Sequence, residues 1–535
     1  MIKQLKRLAA CCVLALTALS LNSCFQDLDI EPFDGLNSEL VYGDPANYIN
    51  VLAKLYAGLA TTGNQGPAGD GDIAGIDEGF SSYLRILWNL QEVTTDMAVL
   101  GWNDPGVPEL NYMDITPTND WVEGMYYRIF FQITLCNDFI RRTSTATLED
   151  RGFSAEDIAM ITQFQNEARV LRAMSYYHAL DFFGNVPFVT EDDAPGAFFP
   201  NQISRTELFD YVESELLAVE GNLTPAPNPT YGRIDQATAW MLLAKLYLNA
   251  EVYTGTDRSA DCVTYIKQVI DVGYTLEDDY THLFLADNHT ANGVIFPVTF
   301  DGLRTQTWGG TTYLVHAPVG GSMDADEFGI NDGWQGLRGT PQLVDFFVAN
   351  PGDTTNTLND SRWLFYTDGQ TYNIEELPTF TDGYAVAKWR NITSAGEPGS
   401  HANIGDHVDN DYPVFRLADA YLMYAEATLR SGTGDQGLAL NYVNMIRERA
   451  FGDNSQNFAS LDLDVILDER ARELYWEGHR RTDLIRYGQF TGTSRLWVFK
   501  GQDVNGTSIP AHMDLFPIPA ADLVANQNLT QNPGY

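Results

Sequence analysis

Along most of this chain, apolar residues recur at steps of three and four positions, the spacing that places them on one face of an α-helix. In the first half, the pattern predicts helices over residues 121–142, 157–183, 205–223, 236–253 and 260–272. In the second half, it predicts helices over residues 415–429, 439–450 and 465–478. Because this many amphipathic helices have to bury their apolar faces against one another, we expect an all-α fold.

One of these helices carries the pattern of a tetratricopeptide repeat, Trp-x2-Leu-Gly-x2-Tyr, with alanine as the small residue. The matching residues are Trp240, Leu243, Ala244 and Tyr247. A second helix follows over residues 260–272, as a helix-turn-helix repeat requires. Ser154 with Asp157 predicts a helix start, and Gly184 and Gly273 predict helix ends. We therefore predict a tetratricopeptide-like helical-repeat scaffold.

Residues 287–411 differ from the rest, because they are rich in Gly, Asn, Asp, Thr and aromatic residues. Short strand-like runs interrupt this stretch at residues 294–300 and 311–316. We predict a helical scaffold at about residues 40–280 and 412–535 that carries an irregular, loop-rich lobe. Binding sites are expected in such a lobe, since loops on a rigid scaffold commonly hold them.

The N-terminus predicts export and lipidation. A basic start precedes an apolar run at residues 8–21, too short to span a bilayer stably, and the run leads to Ser23 and Cys24. We expect a lipoprotein signal peptide over residues 1–23 and acyl chains on Cys24, which would tether the protein to a membrane outside the cytoplasm. The alternative is an ordinary secretory signal with an incidental cysteine. No linker divides residues 24–535, so they are expected to form a single domain.

Composition narrows the classes of ligand. The formal net charge is −40 at pH 7, and a surface this acidic repels nucleic acid and anionic lipid. It favours a neutral ligand or a cationic partner. Cys136 and Cys262 fall within helical patterns, so we expect buried free thiols rather than a disulfide.

No pattern predicts a metal or a cofactor. The nearest pair of histidines, His401 and His407, lies in a polar loop and is expected to be solvated. Residues 70–72 resemble part of a calcium loop, but Ala74 and Ser81 stand where such a loop needs oxygen ligands.

Three carboxylates form the first candidate site. Glu469, Glu473 and Glu477 lie at four-residue steps, so they share one helical face. Paired carboxylates can hydrolyse glycosides, but at least four arginines accompany these, and arginines keep acids ionised. We therefore predict a structural ion-pair network and no catalysis.

Three tryptophans form the second candidate site. Trp102, Trp308 and Trp334 each lie in a loop flanked by glycine. A loop tryptophan buries little surface unless a ligand stacks on it, and sugar rings offer apolar C–H faces for stacking. We expect these side chains to contribute little to the core and to bind a neutral sugar, with a packing role as the alternative.

Several motifs together resemble a known family. They are EARVLRA at 167–173, FGNVP at 183–187, FRLADAY at 415–421, AEA at 425–427, the stretch 469–486, FPIP at 516–519 and QNPGY at 531–535. On these motifs, the protein resembles the SusD/RagB family of cell-surface, glycan-binding lipoproteins of Bacteroidetes. The resemblance covers essentially the whole mature chain. The acidic residues after Cys24 also resemble the surface-export signal of these bacteria.

The resemblance reaches the starch-binding members of that family, on residues 77–85, 89–96, 308–315 and 331–334. In those members three aromatic side chains form a curved stacking arc. The resemblance implies that the counterparts here are Trp102, Trp308 and Trp334, and that Arg85, Asp77 and Asn103 bind sugar hydroxyls. Leu100 departs from the pattern, since starch-binding members have another tryptophan there.

The resemblance also implies a function. We expect a non-catalytic protein on the outer face of the outer membrane that captures a starch-type α-glucan. It would pass the oligosaccharide to a SusC-like TonB-dependent transporter and act as its lid. The alternative glycan is the β-glucan laminarin. The rival classes are a surface glycoside hydrolase and a tetratricopeptide adaptor that binds proteins.

Overall fold

The computed structural model describes residues 38–67, 71–194, 196, 198–400 and 406–535. The predicted signal peptide, Cys24, Asp70 and His401 lie outside the described residues. Among the helices that are described, none is long and apolar enough to cross a membrane.

Helices dominate the described part of the chain. They are α1 Ser38–Tyr42, α2 Tyr48–Ala60, α3 Tyr83–Glu92, α4 Val107–Tyr112, α5 Asp120–Arg142, α6 Thr145–Asp150, α7 Ala155–Phe182, α8 Arg205–Val219, α9 Gln236–Leu248, α10 Ala250–Thr254, α11 Ser259–Asp271, α12 Gly310–His316, α13 Pro341–Asp345, α14 Leu417–Ser431, α15 Gln436–Phe451, α16 Leu463–Leu474, α17 Arg480–Arg486 and α18 Ala520–Ala525. Short 3-10 helices lie at Pro45–Asn47, Glu220–Asn222, Tyr280–Phe284, Asn288–Thr290, Ala325–Phe328, Lys500–Gln502 and Ala511–Asp514.

Strands in the described residues are short. They are β1 Ala98–Leu100, β2 Val186–Pro187, β3 Gln202–Ile203, β4 Val294–Val298, β5 Leu337–Gly339, β6 Phe365–Tyr366, β7 Ala385–Val386 and β8 Tyr412–Arg416. They form antiparallel pairs: β1 with β5, β2 with β3, β4 with β8, and β6 with β7. The β4–β8 pair joins the start of the loop-rich stretch to its end.

The predicted helix boundaries at α7 and α11 are confirmed. The Ser154 hydroxyl accepts a hydrogen bond from the Asp157 backbone N–H, and the Asp157 carboxylate accepts one from the Ser154 N–H. This capping box satisfies two donors that an open helix end would leave unpaired. Gly184 follows α7 with a φ of +70°, and Gly273 follows α11 with a φ of +98°, a conformation that only glycine adopts at little cost.

Helix pairs build the scaffold. The closest packing joins α5 to α7, α7 to α8, α9 to α11, α11 to α14 and α14 to α15. Trp240, on the predicted repeat face of α9, packs against the core, and its Nε1 donates to Glu220 at 2.8 Å. The predicted all-α, tetratricopeptide-like scaffold is confirmed. The predicted single domain with its lobe at residues 287–411 stays a prediction.

Three sequence predictions differ from the structure. Residues 311–316, predicted as a strand, form helix α12. Residues 412–416 form strand β8, so the helix predicted from residue 415 begins at Leu417. The helix predicted over 465–478 ends at Leu474, because Trp476 and Gly478 both have positive φ, 63° and 75°. In the second case strand pairing, and in the third case a left-handed residue, overrides the local helical preference.

The two cysteines behave as predicted. Cys136 and Cys262 are both buried and free. Burial raises the pKa of the Cys136 thiol to about 12, so this thiol is protonated and unreactive at neutral pH.

Candidate functional site

The fold brings the three predicted tryptophans side by side. The ring centroids of Trp102 and Trp334 lie 6.4 Å apart, and those of Trp334 and Trp308 lie 6.1 Å apart. Trp334 is therefore the middle ring of a row, and all three side chains are only partly buried. Neighbouring ring planes are tilted by 46° and 62°, so the three rings do not share one plane. We call these three side chains the tryptophan arc.

Strand pairing and close backbone contact place the two rings at one end of the arc. Trp102 follows β1, whose pairing with β5 continues through a Gly101 N–H that donates to the Gly336 carbonyl at 2.9 Å. A Cβ at Gly336 would lie 2.4 Å from the Trp102 ring, so only glycine lets the ring rest on this backbone. Trp334 is tied to the end of α12, since its N–H donates to the His316 carbonyl at 2.8 Å.

Trp102 and Trp334 are also linked directly. The indole Nε1 of Trp102 donates to the Trp334 carbonyl at 3.1 Å. Both side chains pack against the main hydrophobic core. The expectation that the loop tryptophans contribute little to the core is therefore wrong for these two, because strand pairing draws their loops onto it.

Each ring of the arc is backed by another ring. Trp334 stacks on His316, with centroids 4.7 Å apart and planes 23° from parallel. Trp308 lies 4.5 Å from the His407 ring, and Trp102 meets the Tyr313 ring edge-on at 6.0 Å. Rings held between neighbours lose little conformational freedom when a ligand binds, so the arc is preorganised.

Sequence reasoning missed these backing residues. His407 was predicted to be solvated, but it is only 5% exposed, and burial lowers the pKa of its imidazole. Tyr313 and His316 lie three positions apart on one face of α12. A helical prediction for residues 310–316 would have grouped them, whereas the strand prediction concealed the pair.

Arg85 projects from α3 toward the arc. Its Nη1 donates to the carbonyls of Gly79 at 2.8 Å and Trp308 at 3.0 Å. Its Cζ lies 4.3 Å from the Tyr313 ring centroid and 5.6 Å from that of Trp102. Burial lowers the pKa of the guanidinium to about 10, so it is still a cation at neutral pH.

Arg85 retains unused donor capacity. In the described part of the chain, its Nε has no hydrogen-bond partner and no salt bridge includes the residue. Nε is shielded from solvent, whereas Nη2, which makes no hydrogen bond to the described residues, is the donor available to an oxygen atom of a ligand.

Asp77 and Asn103 lie at the surface near Arg85 and Trp102. Asp77 is exposed, and its Oδ1 accepts from the backbone N–H groups of Gly79 at 2.7 Å and Phe80 at 3.3 Å. One carboxylate oxygen of Asp77 thus shapes the turn before α3. Asn103 is exposed next to Trp102. Leu100, by contrast, is fully buried in β1, so it cannot serve as a further platform.

The carboxylates of the other candidate site are sealed in the interior. Glu469, Glu473 and Glu477 have fully buried side chains. Each is paired with cations. The cluster, which we call the buried charge network, comprises Asp360, Arg362, Lys388, Arg416, Arg447, Arg449, Glu469, Arg472, Glu473 and Glu477.

Pairing keeps these acids ionised. Burial alone would raise the pKa of Glu469, but the charges of Arg362, Arg472 and Arg447 lower it to about 2. The pKa of Glu473 is also held well below its ordinary value, since Arg449, Arg416 and Arg362 outweigh its burial. A general acid needs a raised pKa and access to substrate. The prediction of a structural network is confirmed.

Comparison with known proteins identifies the family. The SusD family profile matches residues 307–535. The chain is 33% identical over its whole length to the starch-binding protein SusD of Bacteroides thetaiotaomicron, of which it covers 99%. The chain belongs to the SusD family. A SusD-like protein of Bacteroides ovatus is 24% identical over 75% of this chain and 71% of that relative.

Solved SusD-like structures share the fold. A SusD-like protein of Bacteroides fragilis superposes with a TM-score of 0.70, over 95% of this chain and all of that one, at 18% identity. Surface glycan-binding protein A of B. thetaiotaomicron, solved in complex with laminarihexaose, gives 0.69 over 91% and 99% of the two chains, also at 18% identity.

Proposed function

We propose that this SusD-family protein binds a neutral oligosaccharide on the tryptophan arc, and that the preferred ligand is a starch-type α-glucan. The observation that carries the proposal is the row of three partly exposed tryptophans with mutually tilted ring planes, each backed by another ring. Such a row offers successive apolar faces to a chain of sugar rings that curves.

The tryptophans and the polar residues beside them bind different parts of each sugar. Trp102, Trp334 and Trp308 stack on the C–H faces of consecutive sugars, and this burial excludes water. Arg85 donates to a hydroxyl oxygen beside Trp102, while Asp77 and Asn103 contact hydroxyls at the outer edge. A neutral ligand also avoids the repulsion that an anion would meet on a surface of net charge −40.

The relatives support an α-glucan and supply the alternative. The relative that is 33% identical, and of which this chain covers 99%, is a starch-binding protein. A structural neighbour with the same fold was solved with laminarihexaose, so laminarin stays the alternative glycan. We propose binding without catalysis, since hydrolysis needs an acid and a nucleophile or base on opposite sides of the bond, and we assign no such pair.

Calorimetry with maltoheptaose and with laminarin oligosaccharides tests ligand choice. We expect maltoheptaose to bind more tightly. Tighter binding of the laminarin series would make the β-glucan the ligand. If no glycan on an array bound, the proposal would be refuted. New reducing ends after incubation with amylopectin would show an enzyme instead.

We further propose that acyl chains on Cys24 anchor the protein to the outside of the outer membrane, where it passes glycan to a SusC-like TonB-dependent transporter. The lipoprotein signal in the sequence and the family membership support this placement. Cys24→Ala should abolish surface labelling of intact cells, and unchanged labelling would refute the anchor. Tagged protein extracted in mild detergent should bring down a β-barrel transporter at near-equal stoichiometry, and recovery of the lone lipoprotein would count against the partnership.

A further inference from the structure

A second aromatic cavity lies along helix α5, and no tryptophan of the arc lines it. Its volume is about 580 Å³, within the range of ligand and side-chain binding sites. Four aromatic side chains of α5 form one wall and Phe198 forms another. We call it the α5 cavity, and its lining includes Tyr126, Tyr127, Phe130, Phe131, Phe198 and Asp522.

Solvent-exposed aromatic side chains lie at the α5 cavity. Phe198, which lines the cavity, is 46% exposed, and Phe199, the next residue in the sequence, is 65% exposed. The backbone under these rings is fixed, because Asn528 donates to the Phe199 carbonyl and Asn526 donates to the Pro200 carbonyl, both at 2.9 Å. Large apolar side chains displayed on a fixed backbone mark an interaction surface.

Two acids at the α5 cavity, Glu123 and Asp522, have no cation partner among the described residues, whereas Asp72 in the lining pairs with Arg128. Burial raises the pKa of the Tyr127 hydroxyl, and the nearby carboxylates of Glu123 and Asp522 raise it further. Burial likewise raises the pKa of Asp522, a hydrogen bond with Tyr127 opposes the rise, and the charge of Glu123 adds to it. In the described part of the chain, no salt bridge includes Glu123 or Asp522.

One buried polar atom in the cavity wall lacks a partner. Tyr126 is 2% exposed, and its hydroxyl has no hydrogen-bond partner among the described residues. Its pKa is raised by burial first and then by the charge of Asp522. The Tyr126 phenol oxygen therefore adds an acceptor beside Asp522, which a donor from outside the chain can satisfy.

We propose that the α5 cavity is a docking site for a protein partner that inserts a lysine or arginine side chain between these aromatic rings. A cation over aromatic faces gains electrostatic attraction, and Glu123 and Asp522 supply its counter-charge. The exposed rings of Phe198 and Phe199 then pack on apolar residues beside the inserted cation. A neutral sugar would leave the two carboxylates uncompensated, and anionic lipid would be repelled by them. The site does not depend on glycan binding at the arc.

An array of short peptides tests the proposal, each with one arginine flanked by leucine or phenylalanine. The same sequences with citrulline, a neutral isostere of arginine, form the matched set. We expect the full-length protein to bind arginine peptides and to bind their citrulline counterparts at least tenfold more weakly. Binding should weaken as salt rises, since the attraction is between charges.

Variants locate the site. Asp522→Asn combined with Glu123→Gln should reduce arginine-peptide affinity at least tenfold without changing affinity for maltoheptaose. The exposed acid Asp278, outside the cavity lining, provides the control variant Asp278→Asn, which should bind normally. Equal binding of citrulline peptides, wild-type binding in the double variant, or no arginine peptide bound by wild-type protein would each overturn the proposal. Competition by maltoheptaose would reassign the cavity to sugar.

Discussion

The tryptophan arc and the buried charge network each gather side chains from distant parts of the chain, but they differ in what satisfies those side chains. In the network, Glu469, Glu473 and Glu477 each have a cation from within the protein, such as Arg416 against Glu473 at 2.6 Å. In the arc, the three rings are only partly buried, and Arg85 retains unused donor capacity.

This difference separates a structural cluster from a binding surface. Groups whose partners are all internal, and which are sealed from water, act on stability alone. Groups that are held rigidly, are partly exposed and have unused hydrogen-bond donors are preorganised to bind a ligand. Substitutions in the two regions should therefore change different measured quantities.

Removal of one acid from the network should have the largest effect. Glu473→Ala leaves Arg416, Arg362 and Arg449 with a buried cavity in place of their shared carboxylate. Breaking a buried pair typically costs about 3 to 5 kcal/mol of unfolding free energy. Chemical unfolding monitored by circular dichroism measures the loss. Glu156→Ala, an exposed acid in the first turn of α7, is the control, and equal stability of the two variants would contradict the assignment.

Within the arc, stability should depend on which ring is removed. Trp102→Ala loses core packing and the hydrogen bond to the Trp334 carbonyl, and we expect a cost of about 2 to 3 kcal/mol. Trp308→Ala should cost less than about 1 kcal/mol, because Trp308 packs outside the main hydrophobic core. Thermal unfolding of both variants compares them. A larger cost at Trp308 would mean that the two ends of the arc are held differently from what the contacts indicate.

Glu92 is a buried acid that, unlike the acids of the buried charge network, is held by backbone N–H groups. Its Oε1 accepts from the Gly478 N–H at 2.7 Å and the His479 N–H at 3.1 Å. No salt bridge in the described residues includes it, and burial raises its pKa to about 8. The folded state therefore keeps a proton that the unfolded chain loses above about pH 4.5, so this group's contribution to stability is lost as pH rises toward 8.

Glu92→Gln should remove that pH dependence. Glutamine keeps an oxygen for the two backbone donors but cannot ionise. The stability difference between variant and wild type should shift in favour of the variant by up to about 1.4 kcal/mol per pH unit between pH 5 and 8. Denaturant unfolding at several pH values gives this difference. A difference that stays constant across the range would show that Glu92 is ionised in the folded protein.

His407 should have the smallest effect, and on affinity rather than stability. It backs Trp308 and does not belong to the predicted contact surface. His407→Ala should weaken glycan binding by about 0.5 to 1.5 kcal/mol, the worth of an aromatic pair, while His407→Phe should restore it. Calorimetry and Trp fluorescence measure affinity and ring environment together. Failure of phenylalanine to rescue would mean that ring stacking is not the role of His407.

The sequence predicted what depends on local periodicity and on family motifs. Helical spacing located α5, α7, α9, α11, α14 and α15, and the Ser154–Asp157 pair located a helix start. The sequence also singled out the three tryptophans that the structure brings together. Each of Trp102, Trp308 and Trp334 lies in a loop flanked by glycine, and this pattern alone drew attention to them.

What the sequence could not predict depends on tertiary pairing. Leu417 begins a helix only because β8 takes the residues before it into a strand with β4. The burial of His407 follows from contact with Trp308, almost a hundred residues away. The α5 cavity joins one helix to residues 198 and 522, and no periodicity links those positions.

The central claim is that the tryptophan arc is the glycan-binding surface. The most direct test is calorimetry of wild-type protein, Trp334→Ala and Trp308→Ala with maltoheptaose, accompanied by unfolding curves of each variant. Each sugar platform should be worth about 1 to 3 kcal/mol, so affinity should fall roughly tenfold to a hundredfold in variants that remain folded. Wild-type affinity in both variants would show that the glycan binds elsewhere on the molecule.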